Sequence, residues 1–222
     1  MFAGHYAAAF AARAVKPAVP LGTLFVAAQL VDFAFFGFVL IGIEDFRIVP
    51  GFLEASAYDL FYMPWTHSLV AVLVWAAAAG AAYAAFTGGR WATAAGIIVG
   101  AVVFSHWITD LTVHAPDLAL WPGGPKVGFA LWASLFWSQL LEVALLFAGV
   151  VLYVRNTNAK NALGKVAPWL LFVLLLAVQA ASHAPADPDA DKVDAAMTAL
   201  IAFTLLAICA ALVDRTRTAE TT

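Results

Sequence analysis

Histidine and aspartate recur at a regular interval near the middle of the chain. His106, Asp110 and His114 are four residues apart, and Asp117 follows three residues later. Residues four apart share one face of an α-helix, so the imidazole of His106 and the carboxylate of Asp110 can point into a common space. Neutral imidazole and carboxylate are ligands of zinc, manganese and iron. The pattern therefore predicts part of a metal site. The alternative is that Asp110 and His114 cap or hydrate the end of a helix.

Three more residues of the same types stand in apolar parts of the chain. Asp32 lies within the run Leu-Val-Asp-Phe-Ala-Phe-Phe, and His5 lies close to the first residue. His67 stands between Thr66 and Ser68, either of which can orient the imidazole or cap a helix. A carboxylate in surroundings as apolar as those of Asp32 requires a cation, a proton or water. We therefore count these three residues as further candidate ligands.

The composition places these residues inside a membrane. Of the 222 residues, 64% are hydrophobic and 11% are charged, and the mean hydropathy is +0.90, whereas soluble domains have about 45–50% apolar and about 25% charged residues. A net charge of −3 leaves no surface for binding phosphates, so we expect no nucleic-acid partner. The single cysteine, Cys209, excludes a disulfide framework and a multi-cysteine metal site. We expect one integral membrane domain over residues 1–222.

Apolar runs bounded by charges, proline and glycine predict an all-α, polytopic bundle of about six membrane-spanning helices. The predicted spans are 20–43, 64–86, 91–113, 127–154, 166–183 and 193–213. The segment Phe2–Val15 is apolar but too short to cross the bilayer, and it lacks the early basic residue of a secretory signal. We expect it to form a half-helix inserted into the bundle. The alternative is an amphipathic helix on the membrane surface.

Basic residues are distributed unequally between the two sides of the predicted bundle. By the positive-inside rule, the richer side and the C-terminus are cytoplasmic, and we expect a bacterial inner membrane with the poorer side facing the periplasm. The richer side carries Arg13, Lys16, Arg90, Arg155, Lys160, Lys165, Arg215 and Arg217, and the other side carries Arg47, Lys126 and Lys192.

The candidate ligands fall at similar depths in this arrangement. At about 1.5 Å of rise per residue, His5, Asp32, His67, His106 and Asp110 all lie in the outer half of the bundle. These groups are costly to bury singly, and a divalent metal among them offsets that cost. We expect zinc, with manganese or iron as alternatives. A hydrogen-bonded polar network that specifies helix packing is the structural alternative.

Four of these motifs resemble, in order and approximate spacing, those of the bacterial membrane-bound metal-dependent hydrolases. They are Gly4-His5, Asp32 in the first span, Thr66-His67-Ser68, and His106-x-x-x-Asp110. Those proteins are in turn similar to the zinc-dependent phospholipase C and single-strand nuclease enzymes, which are all-helical and hold metals with histidine and aspartate. The resemblance covers roughly residues 1–155 and implies that His5, Asp32, His67, His106 and Asp110 are metal ligands. The chain departs from many relatives directly after Asp32, where it has Phe33 rather than an acidic residue or histidine.

The function we expect is a membrane-embedded metal-dependent hydrolase that acts on a phosphoester or another lipid-linked bond at the outer leaflet. Its partner is then a membrane lipid or lipid-linked substrate, and a homo-oligomer is compatible with the sequence. Asp117 and Glu142 are the candidate catalytic proton acceptors. Glu142 is alternatively a helix-packing residue hydrogen-bonded to Gln139 or Ser138.

Three other functions use the same residues. The first is a transporter or channel that conducts protons or metal ions through the histidine and aspartate cluster. A second is a haem-binding membrane subunit with His67 and His106 as axial ligands. The third is an accessory packing subunit of a larger complex, in which the polar residues are structural.

Overall fold

The computed structural model describes residues 1–15, 18–183 and 190–219, and its architecture is the predicted all-α bundle. Two short 3₁₀ turns, Ala3–His5 and Leu131–Ala133, accompany the helices. The α-helices are α1 (Tyr6–Arg13), α2 (Leu21–Ala28), α3 (Leu30–Leu40), α4 (Leu69–Thr87), α5 (Ala92–Val113), α6 (Leu135–Arg155), α7 (Ala162–Ser182) and α8 (Lys192–Arg215).

Three small antiparallel sheets join the ends of the helices. Each has two strands, and the pairs are β1–β2, β3–β4 and β5–β6. Their bounds are β1 (Asp45–Leu53), β2 (Ser56–Tyr62), β3 (Leu118–Ala119), β4 (Lys126–Val127), β5 (Thr157–Ala159) and β6 (Arg217–Ala219).

Among the described residues, five helices, α4 to α8, are long and apolar enough to cross a membrane. The pair α2 and α3 also passes this test and makes a sixth, bent by 53°. The chain is therefore an integral membrane protein, with five or six spans in the part that the structure describes. The predicted span 127–154 begins later, as α6, because β4 and the second 3₁₀ turn occupy its first residues. Ala130, between them, has a positive φ of 58°, a backbone conformation that no helix can continue through.

The first span is broken at Gln29, which ends α2 and begins α3 with φ −108° and ψ 10°. At the break, the carbonyl oxygen of Ala28 accepts a hydrogen bond of 2.8 Å from Nδ1 of His106. A side chain that takes the place of a backbone partner is a common cause of a helix kink. The bend is therefore tied to a polar contact with α5.

Residues 1–15, which we call the N-terminal arm, form the predicted inserted half-helix. A 3₁₀ turn leads into α1, and Ala3, Tyr6 and Phe10 are fully buried in the main hydrophobic core. Gly149 lets α6 approach the arm closely, since a Cβ atom there would lie 2.8 Å from the Cα and carbonyl oxygen of Ala7. The arm thus lies inside the bundle.

The connection before α4 is a β-hairpin, which the sequence had not indicated. Strands β1 and β2 pair Ile48 with Tyr58, and Phe46 packs against the rings of Phe35 and Phe36 on α3, with centroids 5.8 and 5.9 Å apart. We call this side of the bundle the hairpin end. The packing fixes the hairpin to α3.

Two buried arginines hold the opposite end of the bundle together. Nε of Arg13 lies 2.8 Å from Oδ1 of Asp214, which also accepts a hydrogen bond of 3.1 Å from the hydroxyl of Tyr153. Arg217 donates to the hydroxyl of Thr157 and to three backbone carbonyl groups. These contacts join the ends of α1, α6, α7 and α8.

Close packing of α4 on α5 depends on small residues. A Cβ atom at Gly80 would lie 2.6 Å from the carbonyl oxygen of Gly96, and one at Gly100 would lie 2.9 Å from that of Ala76. Small residues of this kind allow helix backbones to approach in membranes. The contact sets the position of α5 relative to the start of α4.

Candidate metal centre

The five residues predicted as ligands lie together near the hairpin end of the bundle. His5 is on the first 3₁₀ turn, Asp32 on α3, His67 just before α4, and His106 and Asp110 on α5. We call these five residues the His–Asp cluster. All are buried except Asp32, whose side chain is 17% exposed. Segments far apart in sequence thus meet at one place.

The ligand atoms of the cluster are close enough to share a metal ion. Nε2 of His106 lies 3.0 Å from Oδ2 of Asp110 and 3.6 Å from Oδ1 of Asp32. Nε2 of His67 lies 3.2 Å from the same Asp32 oxygen, and Nε2 of His5 lies 3.2 Å from Oδ1 of Asp110. Two overlapping sets, His5–Asp32–His106 and His67–His106–Asp110, have potential ligand atoms all within 4.8 Å of one another.

The imidazoles of the cluster are held by their other ring nitrogen, Nδ1. For His106 the partner is the Ala28 carbonyl oxygen at the helix break. A carbonyl only accepts hydrogen bonds, so Nδ1 of His106 carries a proton, and in the neutral imidazole Nε2 then has a free electron pair. The break in the first span therefore selects the tautomer of His106 that can bind a metal.

Two threonine hydroxyls select the same tautomer in the other two histidines. The hydroxyl of Thr66 donates to Oε2 of Glu44 at 2.6 Å, so its oxygen accepts from Nδ1 of His67 at 2.9 Å. The hydroxyl of Thr109 lies 2.9 and 3.0 Å from two backbone carbonyl oxygens of α5 and 2.8 Å from Nδ1 of His5; when its proton goes to a carbonyl, its oxygen accepts from Nδ1. Each hydroxyl has one proton to donate, which is why the imidazole must supply the proton of the second bond.

Electron pairs on nitrogen and negatively charged oxygens therefore face one another inside the cluster. Among the residues that the structure describes, the buried Nε2 atoms of His5 and His106 form no hydrogen bond, although carboxylate oxygens lie 3.2 and 3.0 Å away. Such a set of groups is stabilised by a divalent cation, whose charge two carboxylates balance. The cluster can hold a metal ion.

His67 is placed by the residues on both sides of it. Glu44 is 2% exposed and accepts hydrogen bonds from the backbone nitrogens of Trp65 and Thr66 at 2.7 and 3.0 Å. Ser68 caps α4 by accepting a hydrogen bond of 3.3 Å from the nitrogen of Ala71. The sequence left open which neighbour orients the imidazole and which caps the helix. Thr66 orients the imidazole, and Ser68 caps the helix.

His114 extends the cluster towards the hairpin end. Its Nε2 atom lies 3.5 Å from Oδ1 of Asp110, and its Nδ1 atom lies 2.9 Å from Oδ1 of Asp117. The ring also packs on Trp132, with centroids 4.4 Å apart. Asp117, a predicted proton acceptor, thus contacts the cluster through His114. The interval of four after Asp110 is the sequence signal for this placement.

Glu142, the second predicted proton acceptor, is 1% exposed and contacts the N-terminal arm. Its Oε2 atom accepts hydrogen bonds from the backbone nitrogens of Phe2 and Gly4 at 2.9 and 3.2 Å. Of the two partners considered from the sequence, Gln139 accepts a hydrogen bond from another glutamine and Ser138 donates to a backbone carbonyl. The side chain of Glu142 is therefore bound to main-chain groups.

Several contacts of the cluster were missed from the sequence. Glu44 is not spaced from any cluster residue at a helical interval, so the sequence does not indicate that they meet. The contact of Ala28 is made by its backbone carbonyl, which the residue type does not indicate. Thr109 stands directly before Asp110, which is a local signal like that of Thr66 directly before His67. The α-amino group of Met1 donates to Oδ1 of Asp110 at 2.7 Å, an ion pair that residue types do not reveal.

Comparisons of the chain with protein-family models, with curated proteins and with solved structures give no match. The resemblance to the membrane-bound metal-dependent hydrolases therefore stays a prediction that rests on the motifs quoted above.

Proposed function

We propose that this chain is a membrane-embedded metal-dependent hydrolase whose metal ligands are His5, Asp32, His67, His106 and Asp110. One observation carries the proposal. Three imidazoles direct Nε2 towards two carboxylates while an acceptor holds each Nδ1 atom. This arrangement is typical of metal-binding histidines. The cluster belongs to a protein of five or six apolar spans, which is why we place the reaction at a membrane.

Zinc is the metal we propose, with manganese and iron as alternatives, because the donors are imidazole nitrogen and carboxylate oxygen. When bound, such a metal acts as a Lewis acid and lowers the pKa of a coordinated water. The residues of the chain orient the ligands and exclude water around them. Phe35 packs edge-on against the ring of His67 at 5.3 Å, and Asp32 is the cluster residue that reaches solvent.

We propose that protons leave the site through His114 and Asp117. His114 is the imidazole beside the cluster that is not one of the five proposed ligands, and Asp117 orients it by accepting from Nδ1 at 2.9 Å. The side chain of Asp117 is 15% exposed, so the pair connects the buried carboxylate of Asp110 to the surface. A histidine oriented by a carboxylate is suited to proton transfer.

The substrate class we propose is a lipid with a phosphoester or another linkage near its head group. An apolar groove of about 490 Å³ lies beside the segment that carries His67, on the α3 and α4 side of the bundle. Its lining includes Phe38, Ile43, Trp65, Val74 and Trp75. Because α4 and the α2–α3 pair are apolar enough to cross a membrane, a lipid acyl chain is the occupant we propose for the groove.

We propose a bacterial inner membrane, with the hairpin end in the periplasm and the C-terminus in the cytoplasm. Arg47 on β1, Lys126 on β4 and Lys192 at the start of α8 lie at the hairpin end, and the remaining described basic residues lie at the opposite end. The positive-inside rule supports this orientation. Lys16, assigned to the cytoplasmic side, lies outside the described residues.

Buried aromatic rings between the two ends of the bundle disfavour the conduction of protons or metal ions through the His–Asp cluster. The ring of Phe25 stacks on Tyr6 at 4.3 Å and contacts Phe10 at 5.3 Å, and Phe10 contacts Tyr153 at 5.6 Å. These buried aromatic rings separate the His–Asp cluster from the Arg13 contact at the other end. A continuous polar path would be needed for ion transfer.

The metal content of the detergent-purified protein tests the proposal. Elemental analysis should find about one or more metal ions per chain in the wild type and none in the variants Asp32→Ala and His106→Ala. Asp194→Ala, which removes an exposed carboxylate of α8, is the matched control and should keep the metal. A wild type without metal after reconstitution with zinc and with manganese would overturn the proposal.

Turnover separates hydrolysis from transport. A hydrolase should cleave a phosphoester lipid in mixed micelles, and a chelator should abolish this activity. The same preparation in sealed vesicles should move neither protons nor zinc. Movement of protons or zinc without cleavage of the lipid would favour the transporter function over the hydrolase function.

A further inference from the structure

We propose that Glu142 and Gln179 are positioning residues that bind the backbone of the N-terminal arm and thereby keep His5 in the His–Asp cluster. This inference rests on the proposed function, in which His5 is a metal ligand. It assigns Glu142 a role that acts through His5 rather than on the substrate.

Three successive backbone amides of the arm are bound by these two side chains. Phe2 and Gly4 donate to Oε2 of Glu142 at 2.9 and 3.2 Å, and Ala3 donates to Oε1 of Gln179 at 3.0 Å. The first amides of a helix have no partner within the helix. Here α6 and α7 supply the missing acceptors from outside the arm.

Burial makes these hydrogen bonds important for the position of the arm. Glu142 and Gln179 are 1% and 3% exposed, so water does not replace a lost partner readily. Hydrogen bonds to a charged carboxylate are stronger than those between neutral groups, and a buried donor left unsatisfied destabilises the structure. A carboxylate is also the favoured charge beside the first turn of a helix.

The amide of Gln179 is itself oriented by its neighbours. Its Nε2 atom lies 3.2 Å from Oε1 of Gln139 and 3.0 Å from Nε2 of His183. These contacts turn the nitrogen away from the arm, so Oε1 faces the amide of Ala3. The network explains why a glutamine at this position of α7 is buried in a membrane-spanning helix.

His5 directly follows the last amide that Glu142 binds. Its ring stacks on His106, and its Nδ1 atom contacts Thr109. The other end of the arm is fixed by the ion pair of Arg13 and Asp214. Loss of the Glu142 contacts should therefore release the first turn and His5 while α1 stays attached at Arg13.

Two measurements test this role. The first is zinc affinity by competition with a chelator. The second is exposure of the arm in metal-free protein, measured as the rate at which maleimide labels Phe2→Cys in a Cys209→Ser background. The variants are Glu142→Ala, Glu142→Gln and Gln179→Ala, each compared with the parent.

Glu142→Ala should weaken zinc binding about 10–100-fold, the usual effect of losing a residue that supports a ligand, and should speed labelling at least about tenfold. Glu142→Gln keeps an acceptor oxygen for the backbone amides and should therefore keep most of both properties. Gln179→Ala should change both in the same direction. Glu54→Ala, which removes an acceptor from the first amide of α6, is the matched control and should change neither.

A double-mutant cycle supplies the decisive comparison. If Glu142 acts through His5, the variant His5→Ala/Glu142→Ala should bind zinc as well as His5→Ala does. Additive losses of affinity, unchanged labelling of Glu142→Ala, or a Glu142→Gln variant as impaired as Glu142→Ala would each overturn the inference. If the wild type binds no zinc but Glu142→Ala is labelled faster, the positioning of the N-terminal arm by Glu142 is supported and the proposed metal function is refuted.

Discussion

The imidazole rings of His5 and His106 are stacked, with centroids 3.7 Å apart and an angle of 8° between their planes. The rings come from the N-terminal arm and from α5, and both direct Nε2 towards Asp110. Two imidazolium cations at this separation would repel each other, so at least one ring must be neutral. Neutral imidazole is the form that binds metals. The stack therefore leaves at least one of the two rings in the form that can bind a metal.

Removal of the Thr109 hydroxyl should weaken metal binding, because Nδ1 of His5 then loses its acceptor. We expect Thr109→Val to lower zinc affinity about 10–100-fold and Thr109→Ser to restore it. Chelator competition measures both. Thr112→Val removes a hydroxyl of the same helix that bonds only to a backbone carbonyl, and it should bind zinc normally. Equal affinities for Thr109→Val and Thr112→Val would contradict the role of Thr109.

Chelation should lower the thermal stability of the protein. A ligand that binds only the folded state at a concentration 100 times its Kd stabilises that state by about 2.7 kcal/mol. The Tm of the wild type in detergent should therefore fall when a chelator is added and recover when zinc is restored. Asp32→Ala should show a Tm that does not respond to either addition. A metal-loaded wild type with an unresponsive Tm would count against a buried site.

Breaking the Arg13–Asp214 pair should destabilise the bundle without removing the metal. Arg13→Ala leaves a carboxylate in a site where both side chains are mostly buried, and we expect a loss of about 3–5 kcal/mol in the free energy of unfolding. Arg155→Ala, which removes an exposed arginine, should have little effect. Metal content should equal that of the wild type. A stable Arg13→Ala variant would show that Asp214 is satisfied by its other partners.

A methyl group between α4 and α5 should disturb the cluster from a distance. Gly80→Ala puts a Cβ atom 2.6 Å from a backbone oxygen of α5, so the helices must separate. We expect a loss of about 1–3 kcal/mol in the free energy of unfolding. We also expect weaker zinc binding, because His67 precedes α4 and Asp110 lies on α5, so separating the helices lengthens the 3.8 Å distance between Nε2 of His67 and Oδ2 of Asp110. At Gly37 a Cβ atom meets nothing within 4 Å. Gly37→Ala should therefore match the wild type in both measurements.

The sequence was sufficient to predict the helices, since hydropathy alone marks segments that must lie in lipid. It did not indicate the hairpin, because apolar and polar residues alternate poorly along its strands. The hairpin is positioned by the packing of Phe46 on α3. Nor did it indicate the bend at Gln29, where a side chain from another helix contacts the backbone. Local patterns do not contain contacts of this kind.

The sequence predicted that His106 and Asp110 lie close together, because they are four residues apart on one helix and at similar depth in the bundle. Of the groups that orient the imidazoles, Thr66 was predicted from its place beside His67, whereas the others were not predictable in the same way. One is a backbone carbonyl, and Glu44 belongs to a connection with no fixed geometry in the sequence. Glu142 was noticed as a buried carboxylate, but its partners are main-chain amides, which every residue possesses and no residue type reveals.

The break in the first span lets a single helix pair touch both nitrogens of one imidazole. Ala28 contacts Nδ1 of His106 at 2.8 Å, and Asp32 approaches Nε2 at 3.6 Å. The spacing between these two positions is thus matched to the width of the ring. Insertion of one residue after Gln29 would rotate Asp32 by about 100° around the axis of α3 and carry its carboxylate away, while the ring stayed attached at Ala28. The chain length between these two residues is therefore as much a part of the site as the residues themselves.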